Sequence, residues 1–217
     1  MSKEEIFSLY AITDETCLKN QTLYEAVEAA IRGGITCLQY RNKHFEDTEE
    51  NLAKINKIQK ICKEKGVPFI VNDNVLLTKL IDADGVHIGQ KDMNVKEVRR
   101  LLGPEKIIGV TAKTVEQARL AYEGTADYIG SGAIFVTETK KDATPLSIDT
   151  FRDICKSVPI PVVAIGGINI DNLHNLKESG ASGVAIINGI FGVDDIEGTC
   201  RRIRKILKEI QIVTTKG

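Results

Sequence analysis

Short apolar segments recur along the whole chain, and polar or glycine residues follow nearly every one of them. The eight segments are 8–13, 37–40, 68–71, 85–88, 106–110, 127–131, 161–165 and 183–187. Strands of this length that alternate with helices predict a parallel sheet. Eight of them predict a closed (β/α)8 TIM barrel, with an open doubly wound sheet as the alternative, and the active site of such a barrel lies where the strands end.

The segments between the strands have the spacing of amphipathic helices. From Leu52 onwards, Asp47–Lys65 places apolar residues three and four positions apart, which predicts one buried face. We expect Asp47 and Glu50 to form a capping box at its start. Asn94, Thr114 and Ser147 are expected to cap three later helices. The remaining predicted helices are 75–81, 94–102, 115–122, 148–156, 170–179 and 194–209.

Length and composition suit one enzyme-sized domain. The 217 residues are 42% hydrophobic, which predicts a single domain over 1–217, with a loose tail at 210–217. The net charge of −1 without a basic block argues against nucleic-acid binding. The N-terminus has no signal-peptide pattern, and no apolar run is long enough to span a membrane. The five scattered cysteines predict reduced thiols, so we expect a cytoplasmic protein.

Two aspartates follow neighbouring predicted strands. Asp73 comes after the third strand and Asp92 after the fourth, so their carboxylates can converge on one cation. Carboxylates with no nearby cysteine cluster favour a hard ion such as Mg²⁺. The alternative is that either residue only caps a helix.

Cations cluster at the end of the second strand. Gln39, Arg41 and Lys43 alternate there, and a period of two places them on one face. Two cations facing the barrel need an anion, and a phosphate or diphosphate suits an arginine that can bind it with two hydrogen bonds. The alternative is a solvated strand end paired with Asp or Glu.

A second anion site is predicted at the ends of the seventh and eighth strands. Gly166 and Gly167 end the seventh strand, and Asn188 and Gly189 end the eighth, where this fold often binds phosphate. Glycine lets the backbone approach an anion closely, although the same residues suit tight turns. The long loop at 132–145 adds hydroxyls and an ammonium group over 137–140.

Histidine offers little evidence of acid–base chemistry. His87 lies within a strand, where a hydrogen-bonded packing role and a catalytic role both remain open. His44 and His174 have the pattern of surface or helix residues. No serine or cysteine has an evident histidine partner.

The motifs taken together resemble the thiamine-phosphate synthase (thiamine-phosphate pyrophosphorylase) family. They occur in order over about residues 8–192, nearly the whole chain, and at the ends of the predicted strands. The motifs are YAITD, QYRNK, VND, DGVHIGQKD, TETK, AIGGI and GVAIING.

The resemblance implies an alkyl transfer that joins a pyrimidine diphosphate to a thiazole phosphate and releases pyrophosphate by a dissociative, carbocation-like substitution. It assigns these residues to the pyrimidine diphosphate: Gln39, Tyr40, Arg41, Asn42, Lys43, Asn72, Thr111 and Lys140. It assigns Thr137, Glu138, Thr139, Gly167, Ile187 and Asn188 to the thiazole phosphate, and places Tyr10 near the rings. Asp73 and Asp92 would hold one Mg²⁺ per subunit. Arg41, Lys43, Lys140 and Thr111 would act in catalysis.

The chain departs from the family pattern at three positions. QYRNK stands where QLREK is common, but Tyr40 should point away from the lumen if Gln39 and Arg41 point inward. Asn42 lacks the usual carboxylate, which leaves any role of that side chain in question. Thr111 keeps the hydroxyl of the serine that is frequent there.

Other functions are compatible with the same barrel. A thiazole tautomerase-like paralogue would use an acid–base residue such as His87 and would need no Mg²⁺. A phosphate-binding barrel enzyme with a Schiff-base lysine is a second possibility, and a non-catalytic sensor of thiamine precursors is a third. A homo-oligomer is also compatible with the sequence.

Overall fold

The computed structural model describes residues 3–43, 45–136 and 145–212, with the side chains of residues 3 and 4 left out. Eight parallel strands close into a barrel in chain order, and β1 pairs with β8. They are β1 Leu9–Ile12, β2 Cys37–Tyr40, β3 Phe69–Asn72, β4 Gly85–Ile88, β5 Ile107–Thr111, β6 Tyr128–Gly132, β7 Val162–Ile165 and β8 Gly183–Ile186. This closed order confirms the predicted TIM barrel and excludes the open sheet.

Helices cover the outside of the barrel. They are α1 Lys3–Ile6, α2 Leu23–Gly33, α3 Glu49–Glu64, α4 Val75–Leu80, α5 Val95–Leu102, α6 Val115–Glu123, α7 Ile148–Ser157, α8 Asn188–Phe191 and α9 Ile196–Glu209. Two 3₁₀ turns, Glu15–Cys17 and Leu173–Leu176, complete the described elements. None of the helices in the described ranges has the length and apolar character of a membrane span.

Side-chain caps fix where the outer helices begin. Asn94, Thr114 and Ser147 cap α5, α6 and α7 as predicted, each accepting a hydrogen bond from a backbone N–H in the first turn. The predicted capping box of α3 is wrong. Thr48 is the cap, with its hydroxyl 3.2 Å from the Asn51 nitrogen. Asp and Thr are both common cap residues, so the pattern alone could not separate the two neighbours.

Two predicted segments differ in extent. The predicted helix 170–179 is reduced to the short turn Leu173–Leu176, because the Asn169 and Asn172 side chains bond to nearby backbone N–H groups and compete with a helix. The predicted tail starts too early, since Ile210 is buried and Ile212 packs against the core. Residues 213–217 lie outside the described part of the chain.

Aromatic rings fill the interior of the barrel. Phe7, Tyr10 and Tyr128 form a buried cluster there, and the Phe7 and Tyr128 rings stack with centroids 4.1 Å apart. Glycines on the neighbouring strands leave room for them. A Cβ at Gly109 would lie 2.1 Å from Cζ of Tyr128, and one at Gly130 would lie 2.9 Å from Cε1 of His87. The interior therefore accepts large polar rings only because these two positions have no side chain.

Candidate active site

A cavity of about 480 Å³ opens at the carboxyl ends of the strands. Four basic residues of the described ranges line it, so we call it the cationic cavity: Arg41, Lys43, Lys91 and Lys113. It gathers nine of the predicted site residues, namely Tyr10, Gln39, Arg41, Lys43, Asn72, Asp73, Asp92, Thr111 and Ile187. Side chains that follow β2, β3, β4 and β5 therefore share one space.

Arg41 is held in place on the wall of this cavity by the end of the neighbouring strand. Its Nη1 lies 2.7 Å from Oδ2 of Asp14, and the two side chains are only 10% and 15% exposed. Burial alone would raise the pKa of Asp14, but hydrogen bonds from Thr16 and the Arg41 charge lower it below its usual value. The sequence left open that Arg41 pairs with an Asp or Glu at a solvated strand end. Asp14 is such a partner, but the pair is mostly buried instead of solvated.

Tyr40 and Asn42 lie apart from the cavity lining. The Tyr40 ring is buried between the barrel and the helices, 6.3 Å from the Phe69 ring and 6.4 Å from the Phe45 ring. Asn42 hydrogen-bonds to Tyr40. The contact between Tyr40 and substrate that the resemblance implied is therefore not met by its side chain. This agrees with the alternation that points Gln39 and Arg41 inward.

Asp73 and Asp92 both line the cationic cavity and are exposed to it. Neither is a helix cap, because Asn74 caps α4 and Asn94 caps α5. Asp73 has a positive φ of 60°. The Asn72 side-chain amide donates to Oδ2 of Asp73 at 2.6 Å.

Among the described residues, two carboxylates line the cavity, Asp73 and Asp92, and the metal-binding prediction depends on them. Oδ2 of Asp92 accepts a hydrogen bond from the Gly89 N–H at 2.6 Å. In the described ranges, no group of three or more His, Cys, Asp or Glu residues could hold a metal ion. Mg²⁺ commonly takes one or two carboxylates, several waters and substrate phosphate oxygens, so the donor set fits such an ion once a phosphorylated ligand is bound.

A chain of hydrogen bonds crosses the barrel interior below the cavity. Nε2 of Gln39 donates to the Tyr10 hydroxyl at 2.7 Å, and the Tyr10 and Tyr128 hydroxyls are 2.8 Å apart. Tyr128 then contacts Nδ1 of His87 at 2.9 Å, and Nε2 of His87 contacts the Thr111 hydroxyl at 2.9 Å. His87 is thus hydrogen-bonded at both ring nitrogens, as in the packing interpretation of this residue.

A second cavity, of about 710 Å³, lies at the ends of β7 and β8. We call it the glycine cavity because Gly166, Gly167 and Gly189 line it, together with Asn188. Gly166 and Gly167 have φ values of 98° and 66°, in the left-handed region that favours glycine. The Asn172 side-chain amide donates to the Gly167 carbonyl at 2.8 Å and fixes the turn. The turn interpretation of these glycines is correct, and the turn itself walls a cavity.

The two cavities share a wall. Ile165, Ala185 and Ile187 line both of them. A ligand in the cationic cavity and one in the glycine cavity can therefore meet above this apolar wall.

Several lining residues were not predicted from the sequence. Tyr128 could have been found, because it shares a strand face with Gly130 in a segment that ends at the rim. Lys113 follows β5 by two residues and fits the pattern of cations beyond strand ends. Arg202 lines the glycine cavity from α9, where it donates to the Thr199 hydroxyl at 2.9 Å, and its position in the last helix gave no signal.

Four predicted residues fall on a segment outside the described ranges. They are Thr137, Glu138, Thr139 and Lys140. His44 also lies outside the described ranges, at a separate position in the chain. Their assignments remain predictions.

Comparison with known proteins gives a consistent result. Residues 9–190 match the family described as thiamine monophosphate synthase. The chain is 45% identical over 195 residues to the thiamine-phosphate synthase of Clostridioides difficile, with 90% of this chain and 92% of that protein covered. It is 42% identical to the thiamine-phosphate synthase of Clostridium tetani, with 93% and 96% covered.

A solved structure is similar over the same length. Thiamine phosphate pyrophosphorylase from Pyrococcus furiosus superposes with a TM-score of 0.85 at 34% identity, covering 95% of this chain and 98% of that one.

Proposed function

The chain belongs to the thiamine monophosphate synthase family, and from that premise we propose that it joins hydroxymethylpyrimidine diphosphate to hydroxyethylthiazole phosphate, forming thiamine phosphate and pyrophosphate. It is then a transferase of thiamine biosynthesis with two small phosphorylated substrates. Its five cysteines are all free thiols, which supports a reducing, cytoplasmic location.

One observation carries this proposal: two cavities of different chemistry share a wall. The cationic cavity offers four basic side chains, and the glycine cavity offers backbone at two left-handed glycines. A diphosphate with its high charge suits the first, and a single phosphate suits the second. Two phosphorylated substrates bound in this way would bring their rings together at Ile187.

Side chains of the cationic cavity would hold the diphosphate. Arg41 is suited to bidentate hydrogen bonding with a phosphate group, because Asp14 fixes its guanidinium from one side. Lys43 and Lys140 would add positive charge, while Asn72 and Thr111 would donate hydrogen bonds. Gln39 and Tyr10 lie deeper in the barrel, nearer to where the pyrimidine ring would sit.

One Mg²⁺ per subunit fits the oxygen donors of Asp73 and Asp92. When bound, such an ion would supply positive charge to the diphosphate oxygens. The Asn72 amide and the Gly89 N–H each donate a hydrogen bond to one of these carboxylates and would orient it.

The proposed step needs charge stabilisation and no protein nucleophile. The bond between the pyrimidine CH2 carbon and the diphosphate oxygen breaks, and the electron pair leaves with pyrophosphate. The electron-rich aminopyrimidine stabilises the cation that remains, while Arg41, Lys43 and Lys140 neutralise the leaving group. The thiazole nitrogen, positioned by its phosphate near Gly167 and Asn188, then forms the new carbon–nitrogen bond.

The hydrogen bonds of His87 count against a tautomerase that would use this residue as its base. Both ring nitrogens already contact protein hydroxyl groups, those of Tyr128 and Thr111. A general base would need one nitrogen to reach the substrate.

The decisive experiment mixes both substrates with Mg²⁺ and measures thiamine phosphate and pyrophosphate together. Equal amounts of the two products are expected. Binding of both substrates without turnover would indicate a sensor, and conversion of a thiazole phosphate isomer without the pyrimidine would indicate a tautomerase.

A further inference from the structure

The hydrogen-bond chain inside the barrel joins five different strands and ends at the cationic cavity. It runs from Gln39 on β2 through Tyr10, Tyr128 and His87 to Thr111 on β5. Tyr10 and Tyr128 are fully buried. Burial raises the pKa of both phenols well above their usual value, so each keeps one proton to donate.

The direction of donation follows from the first link. Nε2 of Gln39 donates to Tyr10, so the Tyr10 proton must go to another acceptor. The Cys37 thiol also hydrogen-bonds to Tyr10, but sulfur is a weak acceptor, so the proton is directed to the Tyr128 oxygen at 2.8 Å. Tyr128 must then donate to Nδ1 of His87, and this nitrogen must therefore be unprotonated. The ring proton is left on Nε2, where it points at the Thr111 oxygen.

The hydrogen bonds of Tyr128 and His87 could in principle also be satisfied by moving the two rings, but packing prevents this. A Cβ at Gly130 would lie 2.9 Å from Cε1 of His87, and one at Gly109 would lie 2.1 Å from Cζ of Tyr128, so the rings rest directly on strand backbone. Phe7 stacks on the opposite side of Tyr128 with centroids 4.1 Å apart. With the rings fixed, the hydrogen-bond chain can vary mainly in where its protons lie.

We propose that Gln39 sets the polarity of this chain, which holds His87 as the neutral Nε2–H tautomer and directs the Thr111 hydroxyl proton into the cationic cavity. A phosphate oxygen is a pure acceptor, so a hydroxyl that already accepts from His87 suits it. Tyr128 and His87 are then positioning residues that act through Thr111. The phosphate ligand rests on the proposed function, whereas the tautomer of His87 does not.

The opposite polarity would have the opposite consequence. If Tyr10 donated to Gln39, His87 would hold its proton on Nδ1 and Thr111 would donate to Nε2. The Thr111 oxygen would then face the phosphate with lone pairs only and would repel it. The two polarities differ in which nitrogen of one histidine is protonated, and that difference is measurable.

Nitrogen NMR on the full-length protein tests the tautomer without any ligand. The chain has three histidines, and His87→Gln identifies the signals of His87 by their loss. With ¹⁵N-labelled histidine, we expect a protonated Nε2 and a bare Nδ1. A proton on Nδ1, or on both nitrogens at a pH above the ordinary histidine value, would overturn the proposal.

Binding of inorganic pyrophosphate with Mg²⁺, measured by calorimetry, tests the link to the cavity. Tyr128→Phe and His87→Met should weaken binding on the order of fivefold, the contribution of about one hydrogen bond. His87→Gln, whose amide can still donate to Thr111, should recover most of that loss. In a Thr111→Val background, His87→Met should have no further effect.

Tyr24→Phe is the matched control, because it removes a phenol hydroxyl from a surface ring that lies under Lys57. It should leave pyrophosphate affinity and the His87 tautomer unchanged. Equal weakening in His87→Gln and His87→Met would overturn the positioning role. Wild-type protein that fails to bind pyrophosphate would contradict the proposed function, and the tautomer would still decide the inference. Should Tyr128→Phe fail to fold, the wild-type spectrum still decides it.

Discussion

The two cavities at the top of the barrel are built from different parts of the chain. In the cationic cavity the charge comes from side chains, and Arg41 is kept in place by a carboxylate on the adjacent strand. In the glycine cavity, part of the wall is backbone without a side chain, at Gly166 and Gly167 with φ values of 98° and 66°. One site depends on which functional groups are present, and the other depends on the absence of a Cβ.

This difference predicts how each cavity responds to substitution. A change of charge in the cationic cavity should alter catalysis and leave the fold intact, since the side chains stand on rigid strand ends. A change of size in the glycine cavity should move backbone and weaken binding of one substrate. Four substitutions test the contrast, in decreasing order of expected effect.

Asp92→Asn should have the largest effect. It removes one of the two carboxylates that line the described part of the cationic cavity, and we expect kcat to fall on the order of 10²-fold or more. Steady-state kinetics with and without EDTA would measure this, and the affinity for the thiazole phosphate should stay within a few-fold. Asp149→Asn is the matched control, since its side chain is 84% exposed on α7. Full activity of wild-type protein in excess EDTA would refute the metal-binding role.

Gly167→Ala should raise KM for the thiazole phosphate at least tenfold and change KM for the diphosphate little. A Cβ there would lie 2.4 Å from the Val136 carbonyl oxygen and 2.8 Å from Cβ of Phe135, so backbone has to move. Gly66→Ala controls for backbone strain, because Gly66 has the same φ of 66° with no atom within 4 Å of the added carbon. Equal effects on both substrates would show that the glycines do not form a separate site.

Asp14→Asn should raise KM for the diphosphate about tenfold, because Arg41 loses the charge that orients it. Substrate kinetics measure this, and the thiazole phosphate should be unaffected. An unchanged KM for the diphosphate would mean that Arg41 needs no partner.

The same variant should show a defined pH dependence of stability. The pKa of Asp14 is lowered in the folded state, so its contribution is complete above the unfolded value, about 3.9, and is lost as pH falls through the folded value. The difference in free energy of unfolding between wild type and Asp14→Asn should therefore shrink in acid. Urea titrations at neutral and acid pH test this.

Tyr40→Phe should have the smallest effect on catalysis, less than about twofold in kcat/KM. The ring lies on the helix side of β2, so the substitution removes one hydroxyl and its contact with Asn42. The stability loss should be about 1 kcal/mol. A large rise in KM for the diphosphate would mean that Tyr40 contacts substrate after all.

The sequence predicted the barrel well, because strand and helix periods are local signals. It also predicted most of the cationic cavity, since residues that follow parallel strands must collect at one end of the barrel. Asp14 and Arg41 end neighbouring strands, yet their pairing depends on side-chain rotamers that no spacing specifies. The contact between Tyr128 and His87 spans 41 positions and needs the closed barrel. Arg202 reaches the glycine cavity from a helix, where a basic residue looks like any solvated one.

The wall shared by the cavities has a consequence for product release under the proposed reaction. Before bond formation, each half of the future product is anchored by its own anion, one on either side of Ile165, Ala185 and Ile187. Cleavage of the carbon–oxygen bond has by then separated the anion in the cationic cavity from the pyrimidine, as pyrophosphate. The joined molecule keeps a single anchor, at the glycines, so the reaction that doubles the size of the ligand also removes half of its attachment to the barrel.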